Sequence, residues 1–372
     1  MAATSPEPPR FRVADVLRLH GAAWLREHVS THQQRRAVDG IVACRTAALG
    51  AHRSLYSCGH EVTAYNSCRN RNCGRCLQGR AFDWVEQKEQ DLIPVPYFHV
   101  VFTLPPALTD VVPVARAGLY EALFRAASQT LLQFGRNRLK GQLGFLAVLH
   151  TWGQTLTHHP HIHFVVPGGA FDVDNKAWVP ARRRFLFPVR AMSKVFRGKM
   201  LHELRHRGLE GVADDELERR IDDAARVKWV VYAKPPFGGP QQVLRYLARY
   251  THKIAIGDHR LVDVDDDTVA FRYKDYADGN RTKVMRLAAG AFVGRFLQHV
   301  LPRHFTRLRS FGFLANTKKR ERLLAIRAAL GAVAPPAPPS TEAPCGCPRC
   351  GVGQLVTRLR LAPFTLLPLD TS

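Results

Sequence analysis

The chain has 372 residues, with 54 Lys and Arg against 31 Asp and Glu, a formal net charge of +23, and 46% hydrophobic residues. That length suits two to three domains with a sizeable buried core and excludes a disordered polar tail. The excess of base calls for a polyanionic partner, nucleic acid first, because clustered Lys and Arg release condensed counterions on binding it.

Taken in chain order, Val13 to Cys44 reads as helical. Cys44 to Cys76 is dense in Gly, Asn, Arg and His with little periodicity, as expected of a small metal-held unit without a core of its own. A second helical stretch is expected over Arg80 to Leu92. Tyr97 to Leu104, rich in β-branched and aromatic residues, predicts a strand. Leu108 to Leu139 has helical spacing, and Phe145 to Thr155 and His161 to Ala170 read as two strands joined by a short turn. Helices follow at Ala191 to Leu204, Asp214 to Val227, Pro240 to Tyr250 and Ala291 to Val300. Between them lie a strand at Lys228 to Lys234 and a small meander from Leu261 to Leu287. Ala334 to Pro344 is a Pro-rich linker isolating a Cys-containing tail. No apolar run approaches the ~20 residues of a membrane-spanning helix, and the N-terminus lacks a secretory signal pattern, so the expectation is a cytoplasmic protein with no membrane partner.

Eight cysteines are too few for a disulfide scaffold in a chain this long, and their grouping favours metal sites: five between Cys44 and Cys76, three between Cys345 and Cys350. Cys73-x2-Cys76 is a zinc knuckle, with Cys44, Cys58 and Cys68 as further candidate ligands and Arg69, Arg71 and Tyr65 interleaved as candidate DNA contacts. In the tail, Cys347-x2-Cys350 is half of a zinc ribbon, either incomplete or completed by other residues.

The most informative stretch is His158-His-Pro-His161-Ile-His163. In a strand His161 and His163 point the same way, ~6.6 to 6.8 Å apart, a spacing that lets both rings bind one divalent cation. A turn centred between His158 and His159 would set Gln154 opposite His163 and offer an oxygen as third ligand. Two nitrogens, one neutral oxygen and open positions suit Mg²⁺ or Mn²⁺ facing a phosphate. Taken alone, His-x-His also fits a half-exposed strand. Tyr246 and Tyr250, at i and i+4 of a helix, share a face and could present two phenols to one phosphate, with Arg249 and Lys253 as phosphate contacts. The same spacing also fits an amphipathic stripe.

Together the two motifs resemble those of the two-tyrosine HUH endonucleases, and more closely the rolling-circle transposases of the IS-ninety-one type. The similarity runs through Cys44-Arg-Thr-Ala-Ala-Leu-Gly50, Tyr65-Asn-Ser-Cys-Arg-Asn-Arg71, Tyr97-Phe-His-Val-Val-Phe-Thr-Leu-Pro105, His159-Pro-His-Ile-His-Phe-Val-Val-Pro-Gly-Gly169, Tyr246-Leu-Ala-Arg-Tyr-Thr-His252 and Phe311-Gly-Phe-Leu-Ala315. The resemblance implies an α+β fold. A helix and zinc-binding domain (1–92) would precede an HUH catalytic domain with a central antiparallel sheet flanked by helices (93–330), then the linker (331–344) and the tail (345–372). It implies a structural Zn²⁺ and a catalytic metal on His161 and His163. It also implies Tyr246 and Tyr250 as nucleophiles forming a 5′-phosphotyrosine, and single-stranded DNA at element ends and target DNA as partners, in a bacterial, nucleoid-associated setting. Members often carry a Cys three residues before the position of Cys58, where this chain has Leu55, which leaves the zinc ligand set open. A replication-initiating or relaxase-like nuclease, or a catalytically inactive DNA-binding regulator, would share much of this pattern.

Overall fold

The computed structural model describes residues 9–77, 88–111, 113–182, 184–235, 242, 255–315, 317–332 and 346–363. The chain forms two compact units, one made of residues 1–80, 256–300 and 338–372, the other of residues 81–255 and 301–337.

In the first unit the helical preamble is two helices, Val13–Glu27 and His32–Ala43. The break has a local cause: the Thr31 hydroxyl accepts from the Gln34 amide while the Gln34 side chain accepts from the Thr31 amide, a capping box that starts the second helix afresh. Strands β1 (Ala51–Tyr56) and β2 (Glu61–Tyr65) form a hairpin inside the cysteine-rich region.

The second unit carries the large sheet. Its strands are β3 (Tyr97–Thr103), β4 (Gly144–Trp152), β5 (His158–Pro167), β8 (Val230–Lys234) and β12 (Leu308–Gly312), in the order β12-β4-β5-β3-β8, every pair antiparallel. A short ribbon, β6 (Gly169–Asp172) with β7 (Ala177–Pro180), follows β5. Period-2 alternation sorts the sheet's side chains. Val100, Phe102, Phe145, Ile162 and Phe164 face a core shared with the helices Arg116–Leu139, Val189–Arg207 and Asp214–Arg226. Phe102 sits edge-on to both Phe164 (5.4 Å) and Phe196 (4.9 Å), and burying such a ring stabilises the fold by roughly 1.5–3 kcal/mol. On the opposite face Tyr97, Leu146 and Val165 pack with Leu323 and Ile326 of the helix Lys319–Ala329. Further along the same strands that face carries histidines.

The meander β9 (Leu261–Val264), β10 (Thr268–Asp275) and β11 (Arg281–Ala288), with the helix Ala289–Leu297, belongs to the first unit. A single catalytic domain over 93–330 therefore does not describe these residues. Phe271 packs edge-on to Phe292 at 5.8 Å, Gly294 lies against the Trp24 ring, the Val13 amide donates to Asp258 (3.1 Å), and Gln34 donates to the Leu297 carbonyl (3.0 Å). The chain returns to its N-terminal helices after four of the five strands of the large sheet, before β12 completes it, which linear order cannot reveal. Strand β13 (Leu355–Leu361) then adds to β1, giving a second three-stranded sheet, β13-β1-β2.

Candidate active site and metal centres

The β4–β5 hairpin turns over Gly153 to Thr157, ahead of the His158–His159 centre expected from sequence. The Gly153 amide donates to the Thr157 carbonyl (3.0 Å), the Leu156 amide to the Gly153 carbonyl (3.2 Å), and Leu156 takes a left-handed φ of 61°. The register consequently sets His150 opposite His161 and Val148 opposite His163. Gln154 lies in the turn and is not cross-strand to His163, so the premise for its ligand role fails; the third side chain on the histidine face is His150. Between the pairs Trp152–His158 and His150–His161 the register shifts, because β5 carries two residues, His159 and Pro160, where β4 has only Thr151. A bulge of this kind accommodates a proline inside a central strand and re-aims the side chains beside it. Pro160 thus belongs to the bulge.

Ligand nitrogens of His150, His161 and His163 all lie within 4.8 Å of one another. Their rings converge, with centroids 4.3 Å apart for His150 and His163, 4.8 Å for His161 and His163, and 5.3 Å for His150 and His161. Second contacts fix which nitrogen faces the cluster. His161 donates from Nδ1 to the His159 carbonyl at 2.7 Å, leaving Nε2 as its lone-pair nitrogen. His163 Nδ1 is 2.7 Å from His99 Nε2, with the two rings stacked 5.0 Å apart, so His163 also offers Nε2 when it donates to His99. The Trp152 indole stacks on His150 at 4.7 Å. Burial drives the pKa values of His161 and His99 down to about 4, and burial with the neighbouring His161 and His99 holds His163 well below the ordinary imidazole value. Neutral imidazoles with defined tautomers are the form that binds metal. His158 plays a different part. Its Nδ1 donates to the Thr109 carbonyl and its Nε2 accepts from Tyr120 Oη, both at 2.7 Å, tying β5 to the helix Arg116–Leu139.

Sequence reasoning missed His150 although a signal was present. Gly153 followed by Gln, Thr, Leu and Thr holds the turn of the hairpin, and counting back from it across the bulge puts His150 opposite His161. Tyr246, Arg249, Tyr250 and Lys253 lie outside the described residues.

The cysteines divide into two groups. Cys44, Cys68, Cys73 and Cys76 bring their sulfurs within 4.8 Å of one another, with Cys44–Cys76 at 3.5 Å, Cys68–Cys76 at 3.6 Å and Cys44–Cys73 at 3.6 Å. A tetrahedron with Zn–S bonds of ~2.3 Å has edges of about 3.8 Å, so the set matches a four-cysteine zinc site and is far too open for a disulfide. Burial pushes the Cys44 thiol up to about 11, and a hydrogen bond with Cys68 together with burial raises Cys73 as well. Crowded thiols of that kind ionise together when a divalent cation compensates their charge. The Asn70 amide points at Cys68 Sγ (3.4 Å), as at metal-bound thiolates. Cys58 is not part of this set; its sulfur clusters with those of Cys347 and Cys350. Around the four-cysteine site, Tyr65 and Arg69 are exposed and Arg71 is half-buried.

A central antiparallel sheet bearing convergent histidines, together with a separate four-cysteine cluster, defines an α+β protein with side chains placed to hold metal. Comparison with known proteins narrows this. A family profile described as "Transposase zinc-binding domain" matches residues 16–104, and one described as "Putative transposase" matches residues 144–322. "Putative transposase y4qJ" of Sinorhizobium fredii is 42% identical, covering 96% of each chain. "Transposase for insertion sequence element IS801" of Pseudomonas savastanoi pv. phaseolicola is 29% identical over 75% of this chain and 70% of its own. Among solved structures, the metal-bound conjugative relaxase TrwC with oriT DNA aligns over 65% of this chain and 95% of its own, at 12% identity and a TM-score of 0.27, too slight a likeness to carry argument. The chain belongs to the IS-ninety-one-type transposases and carries their N-terminal zinc-binding domain. No helix among the described residues is long and apolar enough to cross a membrane.

Proposed function

We propose that this transposase cuts one DNA strand at the ends of its element by tyrosine attack and joins it to target DNA through a 5′-phosphotyrosine. The observation that carries this reading is the trio His150, His161 and His163, with ligand nitrogens within 4.8 Å of one another on the antiparallel sheet. A divalent cation on these imidazoles would polarise the scissile phosphate as a Lewis acid. Three nitrogen donors favour Mn²⁺ over Mg²⁺, which prefers oxygen. The case for Mg²⁺ rested on the amide oxygen of Gln154, which the register takes away from His163.

The chain's own residues carry the strand chemistry. Tyr246 or Tyr250 gives up its phenolic proton, and its oxygen attacks phosphorus in line. The P–O3′ bond breaks, releasing a 3′-hydroxyl and leaving tyrosine esterified to the 5′-phosphate. An incoming 3′-hydroxyl, or one generated by the second tyrosine, then attacks that ester and restores a phosphodiester. Each step exchanges one ester for another, so no nucleotide triphosphate is consumed. Arg249 and Lys253 contact phosphates near the reacting centre, and Arg69 and Arg71 contact DNA from the zinc-binding unit.

Strand joining is the test. Two differently labelled single-stranded oligonucleotides carrying the element ends are incubated with protein and Mn²⁺, and the products are sequenced. A recombinant strand made of both labels is expected. A replication initiator or mobilising nuclease would reseal only its own junction, and a DNA-binding regulator would bind without cutting. Either result overturns the proposal.

A further inference from the structure

The C-terminal segment is unusual in how little of it is covered. Among residues 346–363 only Cys347 and Gly353 are buried, and all seven residues of β13 are exposed although the strand pairs with β1 from Ala51↔Leu361 to Tyr56↔Leu355. A strand added at an edge with no covered face is marginal on backbone hydrogen bonds alone. What anchors it lies at its start. Cys347 is 1% exposed, and its sulfur, that of Cys350 and that of Cys58, in the turn between β1 and β2, all lie within 4.8 Å of one another.

The backbone around these thiols has the build of a metal knuckle. The Gly353 amide points at Cys350 Sγ (3.3 Å), the Cys347 amide donates to the Gly353 carbonyl (2.7 Å), and the Gly351 amide donates to the Cys347 carbonyl (2.8 Å). Gly351 takes a φ of 74°, which favours glycine, and a Cβ on Gly353 would stand 2.7 Å from Cys58 Sγ. The two glycines of Cys350-Gly-Val-Gly353 are therefore what lets a Cys-x2-Cys loop close around the thiol of Cys58. Just beyond it, the Ser57 amide donates to the Gln354 carbonyl (2.8 Å) and the Gln354 amide donates to Ser57 Oγ (3.0 Å), joining the knuckle to the β1 edge.

We infer that Cys58, Cys347 and Cys350 form a second thiolate zinc site, separate from the four-cysteine centre, that staples the C-terminal strand to the zinc-binding unit. Three soft thiolates select zinc among the abundant divalent ions. The inference does not depend on how the protein acts on DNA.

The test is metal content of the full-length protein, by elemental analysis and by zinc release to a chromogenic chelator on thiol titration with a mercurial. Two zinc ions per chain are expected for wild type, and one each for Cys58→Ser and for Cys347→Ser/Cys350→Ser. Because the segment packs only Cys347 and Gly353 out of solvent and adds nothing else to a core, the double variant should stay folded by circular dichroism. Limited proteolysis should then cut within residues 346–363 in that variant and leave the wild-type segment intact. One zinc in wild type, unchanged in both variants, would overturn the inference, as would equal protease resistance of the segment with and without the tail thiols.

Discussion

His99 tests how the histidine face is organised, because it supports a ligand without facing the cluster itself. Its Nε2 lies 2.7 Å from His163 Nδ1, and burial holds its pKa at about 4, so at neutral pH it is uncharged; in the tautomer that accepts through Nε2 it keeps the His163 proton on Nδ1 and the His163 lone pair on Nε2. Replacing it by Phe keeps a ring stacked near His163 but removes the acceptor. Loss of such an outer contact typically weakens metal affinity by roughly 10- to 100-fold, about 1.4–2.7 kcal/mol. Mn²⁺ binding to His99→Phe, measured by calorimetry at pH 7.5, should weaken by that range. His161→Ala should lose binding at this site altogether, and the thermal stabilisation conferred by saturating Mn²⁺ should shrink in parallel. Unchanged Mn²⁺ affinity in a folded His99→Phe protein would refute the assignment of tautomers and the role of His163 Nε2.

Acid should weaken the same unit. His99, His158 and His161 have pKa values near 4 in the fold against ~6.5 in the unfolded chain, so between those values the unfolded chain binds more protons. Stability should therefore be greatest above pH 6.5, fall between pH 6.5 and 4 by up to about 1.4 kcal/mol per pH unit for each such imidazole, and level off below; a urea midpoint that stays flat from pH 7 to 4.5 would contradict this. Gly312→Ala should destabilise the sheet by more than about 2 kcal/mol, because its φ is 61° and a Cβ would fall 1.7 Å from the Leu143 carbonyl oxygen. Chemical denaturation measures it. Arg309→Ala, which removes a paired contact to Glu121 and a guanidinium 4.1 Å over the Phe124 ring, should cost about 1–2 kcal/mol by the same method. Cys73→Ser should release the zinc of the four-cysteine site and lower the melting temperature of the zinc-binding unit, read by metal analysis and calorimetry.

Most strands and helices were legible because their signals are local. The β-branched run of β3, the alternation in β5 and the helical spacing after Arg116 each follow from the side chains themselves. What sequence obscured was register and return. Pro160 beside two histidines imitates a turn, whereas it occupies a bulge, and the displaced hairpin centre hid His150 behind Gln154. Likewise Cys58, next to the other N-terminal cysteines in sequence, lies in space with cysteines from the far end of the chain. Both misreadings concern which distant residue stands opposite, a question decided by packing and not by propensity.

The central claim, strand transfer through tyrosine at a histidine-held metal, is tested most directly by covalent capture. Labelled single-stranded DNA from the element ends is incubated with wild type, Tyr246→Phe, Tyr250→Phe, the double variant, His150→Ala and His161→Ala in Mn²⁺, and protein–DNA adducts are resolved in SDS. The account predicts an adduct in wild type that is lost with chelator, in the double tyrosine variant and in both histidine variants. An adduct that survives in the double tyrosine variant, or DNA binding with no adduct on any end sequence, would contradict it.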